Sequence, residues 1–317
     1  METQSFQHFV TELEALTEAQ RQAILARLQY LLSHATSQRL CEERQSEHAD
    51  CPYCHGSHIV RFGFTHQQQR YRCKDCKHTF IALTKTPFQF LRNKEKLLEH
   101  AQCMAKSLTI RQSAVSTQLT LDRAFRWRHR FLELIDLQQP SHLSGIVEAD
   151  ETFFNLSFKG RRKAFSDKEK AMLREKKRKQ VPVLISLQRG SRLACSYQLE
   201  RRTSTQITQA LRTILSADAI LSTDGNVSYQ QAAEALKIEH GYFVAGISGH
   251  GGLSTWHVQN VNAFDSRLKG WMRRFHGVAT KYLDHYLGWR RLLDRCKDAM
   301  TAEQFLFHAL REEFINT

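Results

Sequence analysis

The chain has 317 residues, with 46 lysines and arginines against 32 aspartates and glutamates, and a formal charge of +14 at pH 7. This basic balance favours a polyanionic partner, with nucleic acid as the first candidate. The N-terminal sequence lacks the features of a signal peptide, and no run of about 18 apolar residues is present to span a bilayer. Composition therefore argues against a membrane protein and predicts a folded, cytoplasmic protein of two or three domains.

Residues 1–45 are predicted to form a helical hairpin followed by a linker. Apolar side chains recur at helical spacing in two stripes, and Thr17-Glu-Ala-Gln20 between them has the form of a capping box. From about residue 35 the apolar periodicity fades, which indicates the linker. We expect the hairpin to serve packing or self-association rather than chemistry.

Residues 46–84 contain two Cys-x-x-Cys pairs, Cys51 with Cys54 and Cys73 with Cys76, and 18 residues lie between the pairs. Thiolates are preferred zinc ligands, and a gap of two residues lets one tight turn present two sulfurs to the same ion. Two such pairs complete a tetrahedral site and leave no position open for chemistry. The spacing predicts a structural zinc ribbon that binds Zn²⁺ through all four cysteines. Two disulfides or a thioredoxin-like redox motif are the alternatives.

Residues 85–140 predict three helical segments separated by short turns, a spacing that suits a helix-turn-helix DNA-binding domain. The third helix is strongly basic and would be the recognition helix. A plain three-helix bundle with a solvated basic face is the alternative. The basic residues predicted to face outward are Arg123, Arg126, His129 and Arg130.

From residue 145 the pattern changes to strands and predicts an α/β catalytic domain over residues 145–295. The order of three strands, a helix, a strand, a helix and a strand matches an RNase H-like fold, a mixed sheet flanked by helices. In this fold the ends of the first and fourth strands lie side by side, and Asp150 and Asp224 occupy them. Residues 296–317 are predicted to form a C-terminal helix.

Two aspartates at neighbouring strand ends suit divalent cations. A pair of Mg²⁺ ions about 3.5–4 Å apart can activate a water or a 3′-hydroxyl and stabilise the leaving oxygen of a phosphodiester. Hard cations of this kind require carboxylate oxygens on a rigid support. Taken singly, Asp150 is an ordinary strand-end acid and Asp224 an Asp-Gly turn residue. The pair in fold order is what indicates a catalytic magnesium site.

A basic insertion spans residues 155–180, after the first strand. From Lys159 to Gln180 it holds 11 lysines and arginines and 3 acidic residues. Such a run is either a solvated loop or a source of sequence-independent contacts to DNA phosphates, and the two are compatible. The residues predicted here to contact DNA are Lys159, Arg161, Arg162, Lys163, Lys176 and Lys177.

Several motifs in this order resemble the zinc-ribbon insertion-sequence transposases of bacteria. They are the cysteine ribbon, Phe125-Arg-Trp-Arg-His-Arg-Phe-Leu132, Glu148-Ala-Asp-Glu-Thr-Phe153, Thr223-Asp-Gly225, His257-Val-Gln-Asn-Val-Asn262 and the segment from Phe275 to Trp289. The resemblance covers about residues 50–295. It implies a DNA transposase that binds terminal inverted repeats, cleaves and transfers strands with Mg²⁺, and acts as at least a dimer on element-end and target DNA.

The resemblance also completes the catalytic set. In that family a DDE-type site ends in Glu, or in some branches Asn or His, followed seven residues later by Lys. Asn262 and Lys269 match the Asn branch, so the implied set is Asp150, Asp224, Asn262 and Lys269. Because a neutral amide binds Mg²⁺ more weakly than a carboxylate, Asp265, one helical turn from Asn262, is a candidate compensator. His257 is a further candidate.

Two other functions fit the same residues. A DNA-binding regulator with an inactive core would account for the missing third carboxylate. A metal-dependent nuclease would share the site without strand transfer. Strand transfer to a target plasmid separates the three, because a regulator gives no product and a nuclease gives cleavage only.

Overall fold

The computed structural model describes residues 3–47, 49–65, 68–160, 166, 180–242 and 256–311. The helices are α1 (Thr3–Glu12), α2 (Glu18–Glu47), α3 (Leu97–Ala105), α4 (Ile110–Thr117), α5 (Leu121–Leu137), α6 (Ser204–Arg212), α7 (Val227–Leu236), α8 (Gln259–Met272), α9 (Leu283–Arg295) and α10 (Ala302–Leu310). The strands are β1 (Ile59–Thr65), β2 (Gln68–Cys73), β3 (Thr79–Ile81), β4 (Ile146–Asn155), β5 (Gln180–Gln188), β6 (Ala194–Gln198), β7 (Ile220–Thr223) and β8 (Glu239–Tyr242). Over these residues no helix is both long enough and apolar enough to cross a bilayer.

The chain divides into two compact units. The first comprises Met1–Ala124 with Thr301–Leu310, and the second comprises Phe125–Met300 with Arg311–Thr317. The C-terminal helix predicted over residues 296–317 is therefore the shorter α10, which packs on α2 and α3 in the first unit. Its apolar face is fully covered there, because Phe305, Leu306 and Ala309 are buried.

In the first unit, α2 continues through the segment predicted to be a linker. Helix α2 begins at the predicted capping box, in which Gln20 Oε1 accepts a hydrogen bond from the Thr17 backbone N–H at 2.9 Å. The buried residues of its second half lie at helical spacing but are mostly small or polar, so the apolar pattern ends before the helix does. These residues are Ser33, Ser37, Leu40, Cys41 and Arg44.

Arg44 shows why this half of α2 is ordered. Its Nε donates to the carbonyl of Leu310 and its Nη1 to the carbonyl of Ala82, both at 2.7 Å. These two hydrogen bonds from a buried guanidinium stabilise this half of the helix where apolar contacts are few. Because the contact is made by a charged residue, the spacing of apolar residues gives no sign of it.

The cysteine-rich segment forms an antiparallel sheet in the order β1-β2-β3. Its small core joins Tyr71 and Phe80, whose rings lie 5.7 Å apart, to the buried Cys51 and Cys73. So small an apolar core is characteristic of domains that depend on a metal for stability.

The third helix of the predicted helix-turn-helix, α5, belongs to the second unit from Phe125 onward. Its apolar stripe is continuous, and the buried residues include Trp127, Phe131, Leu132 and Ile135. The fully buried Arg128 lies 5.1 Å from the ring centroid of Trp289. This stripe packs α5 with the α/β unit, so the compact unit differs from the predicted domain over residues 85–140.

His129 is not on the outer face of α5 as predicted. Its ring lies 4.0 Å from that of Tyr282, and its Nδ1 is 3.0 Å from Nδ1 of His285. Burial, reinforced by the nearby charges of His285, Arg128 and Lys281, lowers the pKa of His129 to about 3. The side chain is therefore a neutral packing residue rather than a cation available to DNA.

The second unit is built on a five-stranded mixed sheet in the order β6-β5-β4-β7-β8. The first three strands are antiparallel, and β4, β7 and β8 are parallel. The elements follow the predicted order along the chain, the first and fourth strands are neighbours as predicted, and the sheet fits an RNase H-like core. The sequence pattern predicts the last strand at 242–245, whereas β8 lies at Glu239–Tyr242, and residues 243–255 lie outside the described residues.

Helices cover both faces of this sheet. Helices α6 and α7 pack over one face on a core that contains Val147, Ala149 and Leu221. Helix α8 contacts β4 and β5. Because side chains alternate along a strand, Glu148 and Asp150 of β4 point to the face opposite Val147 and Ala149. The polar face of β4 is thus the face that meets α8.

Candidate active site and metal centre

The register between β4 and β7 places the two predicted aspartates together. Glu148 of β4 lies opposite Ser222 of the parallel strand β7. Asp150 lies two residues further along β4, in the middle of that strand and not at its end as predicted, and Asp224 directly follows the last residue of β7. Neighbouring strands are about 4.8 Å apart, and the charge of Asp224 acts on Asp150.

Asp150 lies in a strongly negative environment. Its Oδ1 accepts a hydrogen bond from the Glu151 backbone N–H at 2.8 Å. The pKa of Asp150 is raised to about 6, chiefly by burial and also by the negative charges of Asp224, Glu151 and Asp265. The hydrogen bond from Glu151 lowers this pKa, but by less than burial raises it. Carboxylates brought together in this way disfavour one another's ionised form unless a cation joins them.

Asp224 is both a turn residue and a member of this site. Its Oδ1 accepts from the Asn226 backbone N–H at 3.1 Å, which makes an Asx turn at the end of β7. Gly225 has φ +83°, a conformation that favours glycine, and turns the chain into α7. Asn226 then caps α7 by accepting from the Ser228 N–H at 3.0 Å. The turn leaves the Asp224 carboxylate exposed.

Helix α8 carries the other predicted residues. Asn262 is exposed in its first turn, and within the described residues its side chain makes no hydrogen bond. Asp265, one turn later, is only 22% exposed, and its Oδ2 lies 2.8 Å from Nζ of Lys269. Its Oδ1 is buried and has no hydrogen-bond partner in the described part of the chain. The structure thus places Asp265 where its charge acts on Asp150, pairs Lys269 with Asp265, and leaves Asn262 exposed.

Sequence reasoning missed a group beside these acids. The buried side chain of Glu151 accepts from Nε of Arg202 at 3.0 Å. Burial, reinforced by the charges of Glu151, Asp150 and Asp224, raises the pKa of Tyr229 well above its usual value. Arg202 lies between β6 and α6, where no periodic pattern places it. It brings a positive charge next to the acid pair.

Glu148 does not join the acid group, although it shares a face with Asp150. Its carboxylate is fully buried and accepts from Nε of Arg189 at 2.9 Å and from the backbone N–H groups of Asn260 at 2.8 Å and Val261 at 3.1 Å. His257 Nδ1 lies 3.3 Å from the same carboxylate. His257 is therefore engaged with Glu148 rather than with the two aspartates.

The four predicted cysteine ligands converge in the first unit. All four sulfurs lie within 4.8 Å of one another, with Sγ of Cys51 and Cys76 3.6 Å apart and Sγ of Cys54 and Cys73 also 3.6 Å apart. A tetrahedral zinc with bonds of about 2.3 Å requires sulfurs about 3.8 Å apart, whereas a disulfide requires about 2.05 Å. The cluster therefore has the dimensions of a four-thiolate metal site and excludes disulfides.

Both cysteine pairs end in the same kind of turn. The residue after each second cysteine, His55 at φ +58° and Lys77 at φ +63°, is left-handed. This conformation folds the chain back, so that the Cys51 N–H bonds to the Gly56 carbonyl at 2.9 Å and the Cys73 N–H bonds to the His78 carbonyl at 3.0 Å. Two matching turns present two sulfurs each to one centre.

Comparison with known proteins identifies the α/β part of the chain. Residues 142–290 match the family described as the ISXO2-like transposase domain. This part of the chain is similar to that transposase domain. It contains the five-stranded sheet and α8, and with them Asp150, Asp224, Asn262, Asp265 and Lys269.

A curated relative extends the similarity beyond this domain. The chain is 26% identical over 246 residues to an uncharacterised protein in transposable element ISH50 of Halobacterium salinarum, a match that covers 75% of this chain and 82% of that protein. Together with the transposase domain, this confirms the prediction of an insertion-sequence transposase. Among solved structures, a chain of the simian T-cell lymphotropic virus intasome in complex with PP2A regulatory subunit B56 gamma is similar with 16% identity and a TM-score of 0.29. That match covers 48% of each chain.

The residues predicted to bind DNA are placed in three ways. Arg123 and Arg126 are exposed on α5, and Arg130 is half-buried. Lys159 of the transposase domain donates from Nζ to the carbonyls of His276 at 2.7 Å and Gly277 at 3.1 Å, so it holds the chain near residue 276. The remaining predicted residues lie outside the described residues: Arg161, Arg162, Lys163, Lys176 and Lys177.

Proposed function

We propose that the chain is an active DNA transposase that binds the terminal inverted repeats of its insertion sequence and cleaves and joins DNA strands with Mg²⁺. The observation that carries the proposal is the placement of Asp150 on β4 and of Asp224 directly after the adjacent parallel strand β7, within the residues that match a transposase domain. The negative field at Asp150 supports a cation at this position.

The donor set fits a hard divalent cation. Asp150 offers carboxylate oxygens within β4 and Asp224 offers them directly after β7, and Asp265 offers a buried oxygen that has no hydrogen-bond partner within the described residues. Oxygen donors on a rigid frame suit Mg²⁺. When bound, such ions supply an activated nucleophile and charge stabilisation at the phosphodiester. Asn262 would add a neutral oxygen at the solvent edge.

The remaining side chains of the site have roles towards DNA. Lys269 and Arg202 bring positive charge to the margin of the acid group, which suits flanking phosphates. Both are already paired with carboxylates, Asp265 and Glu151 respectively. We infer that these ion pairs fix the side chains of Lys269 and Arg202 before DNA binds. They also limit the repulsion among the carboxylates.

A transfer assay distinguishes this function from the alternatives. The substrate is a short duplex carrying the DNA that flanks the gene, incubated with a supercoiled target plasmid and Mg²⁺. A transposase joins the labelled end to the plasmid, a nuclease only shortens the duplex, and a regulator leaves both intact. The regulator is disfavoured because Asp265 supplies the third carboxylate that Asn262 lacks.

We further propose that the four cysteines hold one structural Zn²⁺. Cys73→Ser is expected to lose the metal and unfold the segment over residues 46–84, because a structural zinc provides most of the folding free energy of so small a core. Metal analysis of protein purified without chelator should give about one zinc per chain for the wild type. Cys296→Ser, a half-buried cysteine in the second unit, is the matched control and should keep the zinc. Wild-type protein without zinc would refute the site.

The ribbon, α5 and the basic insertion are each proposed to contact DNA. On the ribbon, the guanidinium groups of Arg70 and Arg72 lie 5.5 and 5.2 Å from the ring centroid of Phe62, which is 43% exposed. Half-buried arginines beside an exposed aromatic ring suit contacts to phosphates and bases. Because two element ends must be joined, we also propose that the protein acts as at least a dimer on DNA.

The basic insertion has a distinct expected effect on salt dependence. If Lys176 and Lys177 contact phosphates, replacing both by Gln should lower the slope of log affinity against log salt by about 2, since each contact releases about one counterion. Fluorescence anisotropy on random-sequence duplex at several salt concentrations measures this slope. Lys297→Gln, an exposed lysine after α9, is the control. An unchanged slope in the double variant would show that these lysines do not contact phosphates.

Arg126 is expected to act differently from the insertion. Because it is exposed on α5, Arg126→Ala should weaken binding to the terminal repeat more than binding to random DNA, if α5 reads the repeat. Fluorescence anisotropy with end DNA and with random DNA gives the ratio of the two affinities for each variant. Equal weakening for both sequences would limit Arg126 to phosphate contact.

A further inference from the structure

We propose that Glu148 is a positioning residue that caps α8 from the neighbouring strand β4 and thereby places the residues of this helix near Asp150. The inference rests on the proposed function, because it concerns how α8 delivers its side chains to the metal site. Glu148 would not itself bind metal or DNA, since its side chain is completely buried.

The residue before α8, Val258, has no side chain that can accept a hydrogen bond, although the first N–H groups of every helix need acceptors. Nδ1 of His257 accepts from the Gln259 N–H at 3.4 Å, and the next two N–H groups bond to Glu148. Glu148 Oε2 accepts from the N–H groups of Asn260 and Val261, and its Oε1 accepts from Asn260 Nδ2 at 2.7 Å. A carboxylate is favoured at this end of a helix by the helix dipole.

The segment that enters α8 is held by the neighbouring strands as well. The His257 carbonyl accepts from Ser222 Oγ at 2.9 Å and from Arg189 Nη2 at 3.1 Å. On β8, a Cβ at Gly241 would lie 2.1 Å from the Trp256 ring, so only glycine leaves room for the ring there. We call the residues Glu148, Arg189, Ser222 and Gly241, which hold residues 256–261, the helix clasp.

The clasp lies in register with the acids. Glu148 and Ser222 precede Asp150 and Asp224 by two residues in the chain, and two strand residues advance about 6.6 Å along β4. Four helix residues advance about 6 Å. Asp265 follows Val261 by four residues and its charge acts on Asp150, so the step from Val261 to Asp265 is similar in length to the step from Glu148 to Asp150.

A purely structural role predicts a different pattern of contacts. If Glu148 served only the stability of the fold, its ion pair with Arg189 would be enough to compensate its buried charge. Buried ion pairs with only this role can often be replaced by apolar residues. Instead the carboxylate also receives three hydrogen bonds from the start of α8. The geometry thus ties this residue to the placement of the helix.

The test is Mn²⁺ binding to full-length, zinc-loaded protein without DNA, with free Mn²⁺ followed by electron paramagnetic resonance. Glu148→Gln is expected to raise the Kd for Mn²⁺ by about 10–100-fold, the usual cost of losing a residue that orients ligands. In cleavage of end DNA, higher Mn²⁺ should restore much of kcat, while KM for DNA stays unchanged. Glu148→Asp, which keeps the charge with a shorter reach, should be intermediate.

Leu211→Ala is the matched control. Leu211 is fully buried in the core on the opposite face of the sheet, so this variant lowers stability without touching α8. Wild-type Mn²⁺ affinity in Glu148→Gln, or an equal loss in Leu211→Ala, would overturn the inference. If Glu148→Gln does not fold, Ser222→Ala, which removes one hydrogen bond to His257, must weaken Mn²⁺ binding in the same direction. An unchanged Ser222→Ala would then refute the clasp.

Asp150→Asn separates this inference from the proposed function. If Asp150→Asn binds Mn²⁺ as the wild type does, the metal site itself is wrong. If Asp150→Asn loses Mn²⁺ and Glu148→Gln does not, the site stands and only the role of Glu148 fails.

Discussion

Asp150→Asn and Asp224→Asn are each expected to lower strand cleavage and joining by at least about 10³-fold while end DNA binds with unchanged affinity. Each substitution removes one negative charge from the pair of carboxylates on β4 and β7. Metal-assisted charge stabilisation contributes several kcal/mol at a phosphodiester, and each 1.36 kcal/mol corresponds to a factor of about ten in rate. Single-turnover cleavage of labelled end duplex with saturating Mg²⁺ measures the rate, and anisotropy measures binding.

Asp218→Asn provides the control for this pair. Asp218 is an exposed acid that precedes β7, at the end of the strand opposite Asp224. The Asp218→Asn variant should cleave and bind end DNA as the wild type does. Wild-type cleavage by Asp150→Asn or Asp224→Asn would remove these residues from catalysis, and equal losses of binding and cleavage would indicate a folding defect instead.

The second large effect concerns Asp265 and Asn262. Asp265→Asn is expected to raise the Mg²⁺ concentration needed for half-maximal cleavage by about 10–100-fold, because it removes the third negative charge near Asp150. Asn262→Ala should also be severely impaired. Asn262→Asp should remain active, since a carboxylate there restores the commoner ligand set.

The double variant Asn262→Asp with Asp265→Asn gives the sharper result. It moves the carboxylate by one helical turn on the same helix, and we expect it to cleave better than Asp265→Asn alone. A double-mutant cycle on the Mg²⁺ requirement measures this coupling. Additive effects of the two substitutions, or wild-type Mg²⁺ dependence in Asp265→Asn, would show that Asp265 does not share the metal site.

Local pattern is enough to predict which strands carry the two aspartates. Alternation along β4 and the order of strands and helices predict that Asp150 and Asp224 lie close together, and the register of Glu148 with Ser222 agrees with this, while Asp150 lies within β4 rather than at its end. The spacing of Cys51, Cys54, Cys73 and Cys76 likewise depends only on two short turns. Both predictions need no knowledge of distant contacts.

The parts that sequence did not predict depend on partners far along the chain. Arg202 meets Glu151 across 51 positions, and Asn260 meets Glu148 across 112. His129 resembles a surface cation on a basic helix, yet its position is fixed by Tyr282 and His285. No periodicity within α5 or α8 contains this information, because it arises when the helices pack.

The central claim is that the protein transfers DNA strands, and sequencing of product junctions tests it most directly. Wild-type protein, end duplex, target plasmid and Mg²⁺ should give plasmids in which both element ends are joined at their 3′-hydroxyls, flanked by a target duplication of constant length. Asp150→Asn should give none. Cleaved duplex without junctions in the wild-type reaction, or junctions that persist in Asp150→Asn, would contradict the account.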